Sequence, residues 1–174
     1  MSGAIQIRRL QSIDERDIQG LSDVLIDCVE GGASVSFMLP MTRGKAEVFW
    51  RSALESVVRG ERLLLVAEDA AAILGTVQVI LQQPENQPHR GDLAKMLVRR
   101  QARRRGVGAA LLEAAEASAL DAGKTLLVLD TASGDAERLY SRNGWQRVGE
   151  VPDYALMPDG AFCATTIFFK FLGR

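Results

Sequence analysis

From Lys95 to Gly108 the chain reads Lys-Met-Leu-Val-Arg-Arg-Gln-Ala-Arg-Arg-Arg-Gly-Val-Gly. An apolar run ends at Val98 and a basic loop follows. After Gly106 and Gly108, Ala109-Ala110-Leu111-Leu112 open a long helical pattern. The spacing predicts a strand, a glycine-bearing turn and a helix start. The first turn of a helix has free N–H groups and a partial positive charge, so it can hold a phosphate. Glycine has no Cβ, so backbone and ligand can approach closely at 106 and 108. The same pattern also fits an ordinary strand-to-helix turn that carries two glycines and some arginines. Arg99, Arg100, Arg103, Arg104 and Arg105 put five arginines in seven residues. They could make charge-assisted bonds to phosphate, or they could be a solvated charge run.

These groups must be positioned by a chain of 174 residues, a length that fits one domain, 1–174, with a real core. Apolar residues make up 47% and charged residues 25%, the balance of a soluble globular protein. Net charge is −1, so nothing drives the whole molecule toward nucleic acid or an anionic membrane, and the arginine cluster is a local feature. No apolar run reaches membrane-spanning length, and Met-Ser-Gly-Ala-Ile-Gln is not a signal peptide. Cys28 and Cys163 lie in apolar patterns and read as two buried thiols rather than a disulfide or a metal site. His89 is the single histidine, too few for a zinc site. The expectation is a reduced, cytoplasmic protein with no metal.

Ile5 to Leu10 reads as a first strand. Ser12 and Glu15 form a Ser-x-x-Glu capping box ahead of Ile18, Leu21, Leu25 and Cys28 at helical spacing. Gly31 and Gly32 end that helix. The stretch from Gly31 to Met38 has too little charge for a solvated loop. It either packs on the domain or lines a pocket. A second helix is predicted from about Arg43 to Arg59, its apolar face formed by Ala46, Phe49, Trp50, Ala53, Leu54 and Val57. Strands follow at Leu63 to Ala67 and Ile73 to Gln82, the second with one face partly polar. A loop to Pro88 leads to a strand from about Asp92 to Val98. The helix after the glycines runs to about Ala122, and Thr125 to Leu129 reads as a buried parallel strand, so strand, helix and strand form a βαβ unit. A short helix is predicted from about Asp135 to Arg142, then a strand at Trp145 to Val148, a loop from Val151 to Gly160, and a last strand from Thr165 to Phe171.

Arg103-x-x-Gly106-x-Gly108 resembles the (Gln/Arg)-x-x-Gly-x-(Gly/Ala) signature of the GCN5-related N-acetyltransferases, the GNAT superfamily. Ala136-x-x-Leu139-Tyr140-x-x-x-Gly144-Trp145 resembles that family's Ala-x-x-Leu-Tyr-x-x-x-Gly-Phe segment. The order of elements agrees over nearly the whole chain. Segments at 31–35, 129–131, 147–152 and 158–160 are similar to a family member that acetylates a β-lactam toxin. Arg100 departs from the family pattern, which often has proline there. Ser133 stands roughly where many members have asparagine, and the segment from Asp130 to Tyr140 is one residue shorter than in the toxin-acetylating member.

The resemblance implies an α/β fold with a mixed, mostly antiparallel central sheet, splayed parallel strands four and five, and flanking helices. It implies acetyl-CoA as cosubstrate, bound where the strands ending at Val98 and Asp130 part. The pyrophosphate would lie on Arg103, Arg104, Arg105, Gly106, Val107, Gly108 and Ala109. Met96, Leu97 and Val98 would pair with the pantetheine arm, and the N–H of Leu97 or Val98 would stabilise an oxyanion. Tyr140 stands at the family's general acid, although a helix tyrosine can also be a packed aromatic. Asp130 could orient or deprotonate the acceptor amine, or cap the next turn. His89, Asp92 and Glu85 are weaker base candidates. Gly32, Ala33 and Ser34 would line the acceptor side. The activity implied is direct acetyl transfer to a primary amine of a small molecule, a toxin or antibiotic among the options. A non-catalytic acyl-CoA-binding regulatory domain and an acetyltransferase of protein amines are the alternatives. Nucleic acid and membrane are not expected partners. Oligomeric state stays open, a homodimer included.

Overall fold

The computed structural model describes residues 3–12 and 14–174. In chain order its elements are β1 (Gln6–Arg9), α1 (Glu15–Glu30), α2 (Arg43–Val58), β2 (Arg62–Glu68), β3 (Ile73–Ile80), β4 (Arg90–Val98), a 3-10 turn (Arg100–Ala102), α3 (Val107–Asp121), β5 (Leu126–Thr131), α4 (Gly134–Arg142), β6 (Gln146–Leu156) and β7 (Phe162–Phe171). The strands form one mixed sheet in the order β1-β2-β3-β4-β5-β7-β6. Only β4 and β5 run parallel; the other neighbours are antiparallel. This is the α/β class expected.

Two apolar clusters lie on opposite faces of the sheet. One holds Leu63, Leu65, Val77, Val79, Leu93, Leu127, Leu129 and Phe168 from the strands with Leu111, Leu112, Ala115 and Ala119 of α3. The other holds Leu64, Val66 and Leu97 with Ile18, Leu21, Leu25 of α1 and Trp50, Ala53, Leu54 of α2. The alternation along β2 and the helical spacing of α1 and α2 produce this division directly. Close approach of α3 needs Gly75. A Cβ there would lie 2.8 Å from the Leu97 carbonyl oxygen and 3.1 Å from Val107 Cγ1.

Some expectations require correction. The first helix is capped not by a Ser12–Glu15 box but by Asp14, whose side chain accepts from the Arg16 N–H at 2.8 Å. Aspartate caps as well as serine and adds charge at the positive helix end; Glu15 instead pairs with Arg51 at 2.8 Å. The expected loop from Val151 is strand through Leu156, because β6 keeps pairing with β7 past irregularities at Arg147/Gly149 and Val151/Ala155. The partly polar face of β3 is as expected, and its Thr76 and Gln78 are fully buried. Cys28 is buried, but Cys163 is only half-buried, and both are free thiols.

Gly75→Ala tests the approach of α3 and β4. With a backbone oxygen inside 3.0 Å of the new carbon, the strand or the helix must shift. Overpacking of this kind typically costs about 1–3 kcal/mol, so the urea midpoint should fall. An unchanged midpoint would show that β4 yields without cost.

Candidate active site

Parallel pairing between β4 and β5 covers only Arg90↔Leu126, Gly91↔Leu127 and Asp92↔Val128. Beyond it β5 stays with β7 as far as Thr131, while β4 stays with β3. The strands therefore part toward Val98 and Asp130. The register of β3 on β4 jumps from Gln78↔Ala94 to Thr76↔Leu97, so Lys95 and Met96 together oppose Val77. Lys95 has φ 50 in this bulge. Bulges bend a strand and re-aim its side chains. Met96 and Val98 are half-buried and Leu97 is buried.

The turn after β4 delivers a bare helix end. Gly106 precedes α3 at φ 79, and no side chain caps the helix. The first-turn N–H groups of Val107, Gly108 and Ala109 are thus not satisfied by a capping residue, which is what an anion requires. Positive φ is the reason for glycine at 106. Gly108 has a different reason: a Cβ there would lie 3.2 Å from Leu139 Cδ2, so this residue lets α4 close against α3.

The arginine cluster divides. Arg99 pairs with Asp23 at 3.2 Å and Arg100 with Asp27 at 2.9 Å. The Arg100 N–H also donates to Asp27 Oδ2 at 2.8 Å. Against the upward push of burial, these bonds hold the Asp27 carboxyl below the usual carboxylate range. Arg100, in a position where proline was expected, is therefore pinned by α1. Arg103 Nε donates to the Val98 carbonyl at 3.3 Å, which Cys28 Sγ also approaches at 3.4 Å. Arg103, Arg104 and Arg105 are exposed beside the helix end, Arg104 at φ 62.

Tyr140 is buried on α4, its ring 5.7 Å from Trp145 and 5.9 Å from Phe168. Burial and then the charge of Asp130 push its phenol above the ordinary tyrosine value, so it stays protonated. Asp130 does not cap the following helix. Ser133 does, accepting from Ala136 N–H at 3.4 Å, while Asp130 Oδ2 accepts from Thr165 Oγ1 at 2.7 Å. Tyr140 and Asp130 are thus brought within electrostatic reach at the open end of the strands. Glu85, His89 and Asp92 are not: Glu85 and His89 lie in the loop before β4, and Asp92, tied to Arg90 and Gln83, is at the closed end.

The loop between α1 and α2 packs and lines at once. Ser34 Oγ donates to the Leu156 carbonyl at 3.1 Å and lies 3.4 Å from Cys163 Sγ. The Leu39 N–H donates to the Pro158 carbonyl at 3.1 Å. A cavity of about 260 Å³ separates this loop from the β6–β7 turn, lined by Gly31, Gly32, Leu39, Met157, Pro158 and Asp159 with Glu30. Ala33 N–H bonds back to the Cys28 carbonyl at 3.0 Å, and Gly32 has φ 92.

Three groups that sequence reasoning left without a role, on β2, β3 and β4, interact across the sheet. Lys95 Nζ donates to Ser36 Oγ at 3.1 Å and lies 5.7 Å from the centre of the Phe49 ring. Burial and then the Arg62 cation push its ammonium below the ordinary lysine value, with Asp130 pulling the other way. Arg62 in turn donates to Gln78 Oε1. A charged residue inside the apolar run Leu93–Val98 was the available signal. Among the described residues no group of side chains could hold a metal ion, and no helix is long and apolar enough to cross a membrane.

The family model of the acetyltransferase (GNAT) domain matches residues 60–147. An uncharacterized N-acetyltransferase in the hisH–hisA intergenic region of Azospirillum brasilense is 28% identical over 128 residues, 72% of this chain and 74% of that one. Two solved structures share the fold. The ribosomal-protein-alanine N-acetyltransferase of Brucella melitensis superposes with TM-score 0.78 at 23% identity, covering 96% of this chain and 99% of its own. The phosphinothricin acetyltransferase of Sinorhizobium meliloti, in complex with acetyl-CoA, gives 0.78 at 16% identity over 99% and 90%. With a bare helix end after the fourth strand and a matching family domain over half its length, this chain belongs to the GNAT family: it is an N-acetyltransferase, and acetyl-CoA is its acetyl donor.

Proposed function

We propose that the whole chain, 1–174, acts as one catalytic domain that transfers the acetyl group directly to a primary amine of a small molecule. The observation that carries this reading is the open end of β4 and β5, where a bare helix terminus, a protonated phenol and a carboxylate converge. Similarity at 31–35 and 158–160 to tabtoxin resistance protein supports a small acceptor. The α1–α2 loop reaching over to the β6–β7 turn would narrow the acceptor side, which favours a small molecule over a folded protein surface.

Acetyl-CoA supplies a thioester whose sulfur departs as a thiolate. Arg103, Arg104 and Arg105 would add charge around the pyrophosphate, and Gly106, Val107, Gly108 and Ala109 would hold it through backbone N–H groups. Met96 and Leu97 would offer backbone pairing to the pantetheine arm; the Val98 carbonyl is engaged by Arg103, so Val98 contributes its N–H. Leu97 or Val98 would also donate to the developing oxyanion. Asp130, fixed by Thr165, would take or direct the amine proton. Tyr140 would hand its proton to the thiolate.

Gly106→Asp and Gly106→Asn separate charge from shape. Both residues tolerate positive φ better than other side chains, but only aspartate places an anion beside the phosphates. Two like charges about 4 Å apart near a protein surface repel by roughly 4 kcal/mol, more than the ~1–2 kcal/mol a helix end supplies. Calorimetry should find CoA binding abolished by Gly106→Asp and largely kept by Gly106→Asn. Unchanged affinity in a folded Gly106→Asp protein would remove the phosphate from this turn.

Tyr140→Phe keeps the ring against Trp145 and Phe168 and deletes the donor. General acid catalysis is worth about 10²–10⁴-fold. A thiol is a better leaving group than an alcohol, and water can substitute in part, so the fall in kcat should be about 10²-fold, with acetyl-CoA binding little changed. A wild-type single-turnover rate would assign the proton to water instead.

Ser34→Leu fills space beside Leu156 and Cys163. Acceptor KM should rise about tenfold, roughly 1.4 kcal/mol, while CoA affinity holds. Unchanged acceptor kinetics would take this loop out of the site.

A further inference from the structure

Two cations lie inside the α1–α2 side of the sheet with no carboxylate on them. Among the described residues the partner of Lys95 Nζ is a serine hydroxyl, Ser36 Oγ at 3.1 Å, and that of Arg62 is an amide oxygen, Gln78 Oε1. Neither takes part in an ion pair of the described residues. The carboxylates that face them act from a distance: Asp130 on Lys95 and Glu61 on Arg62. Glu61 is itself engaged by Arg59 and Ser56.

The unmatched atoms of Arg62 and Gln78 are both donors. Arg62 Nε and Gln78 Nε2 are buried without a hydrogen-bond partner, and Gln78 is 0% exposed. An unpaired buried donor costs free energy, and a buried cation without a partner costs more. Of these groups Lys95 is the one that reaches the bulge beside the parted strands, and its hydrogen-bond partner among the described residues, a neutral serine hydroxyl, leaves its charge unmatched, as an anion would require. The backbone at Lys95 and at its partner is also unusual: Lys95 at φ 50 and Ser36 at φ 76 are both non-glycine residues in the left-handed region. Such conformations persist where the surrounding structure enforces them, and they cluster at ligand sites.

We infer that the acceptor amine carries a carboxylate or similar oxyanion a few bonds from its nitrogen, held by Lys95 at the β4 bulge, with Arg62 and Gln78 reinforcing the positive field behind it and Asp130 facing the amine. The acceptor class is then a small amino acid. This deepens the acetyltransferase reading and rests on it. Lys95 is half-buried and can touch the ligand; Arg62 and Gln78 are positioning residues that act through it. Asp130 acts on Lys95 without an ion pair between them, which leaves room for a zwitterion whose charges are opposite to theirs.

The test compares each of the twenty amino acids with the amine that remains when its carboxyl group is removed, with acetyl-CoA and thiol release as readout. N-acetylglycine and N-methylacetamide are titrated calorimetrically onto the CoA complex in parallel. The wild-type enzyme should prefer at least one acid over its amine by tenfold or more in kcat/KM, and should bind N-acetylglycine the more tightly. Lys95→Met should erase the preference through KM with CoA affinity kept, and Lys95→Arg should retain part of it. Gln78→Glu places a carboxylate where the donors converge. It should raise the urea midpoint and weaken the acids, whereas a purely structural cluster would change stability and leave the preference alone. Equal use of acids and amines by the wild type overturns the inference, as does a preference that survives both Lys95→Met and Gln78→Glu, and acetyl transfer to small amines would then still stand. If no amine releases thiol but N-acetylglycine binds through Lys95, the anion site stands and the small-amine reading falls. If neither occurs, both fall.

Discussion

Everything at the open end depends on how early β4 and β5 stop pairing. Three residue pairs join them, ending at Asp92 and Val128. A sheet that continued to Val98 would satisfy its own backbone and leave no gap. The extra residue at Lys95–Met96 keeps β4 bonded to β3 while changing its course, and β5 is meanwhile held by β7 along its length. Each strand is thus fully supported on its outer side, so the backbone between them can stay open without unfolding the sheet.

The same arrangement sorts the charges. Five arginines after β4 would repel one another and any cationic acceptor. Asp23 and Asp27 on α1 neutralise Arg99 and Arg100, anchoring the turn as they do so, and the remaining three stay beside the uncapped end of α3. On the opposite face the polarity is reversed in function: Asp130 is held by a neutral threonine, and the cations Lys95 and Arg62 are held by neutral oxygens.

Burial decides which groups can titrate usefully. Tyr140 lies among Trp145 and Phe168, and desolvation keeps its proton in place. Gly108 contributes indirectly, since its missing side chain lets Leu139, one residue before Tyr140, pack against α3. The turn that bears the two glycines therefore sets both the helix end and the depth of the phenol.

The sequence by itself determined the order and type of the elements and the glycine turn after the fourth strand. Those features rest on local rules: periodicity, turn chemistry and short spacings. What only the tertiary structure decided involves residues far apart in the chain. Glu15, which the capping-box spacing would turn back onto the helix start, meets Arg51 of α2 instead, 36 positions later. β6 runs to Leu156, past a proline and a turn-rich composition, because β7 pairs with it there. The alternation along β3 shows one partly polar face, but only the closure of α1 and α2 over that side of the sheet buries Gln78 completely. No local pattern states that Lys95 and Arg62, on different strands, will lie within each other's field, since that proximity is made by strand pairing, and strand pairing is set by the energy of the whole sheet.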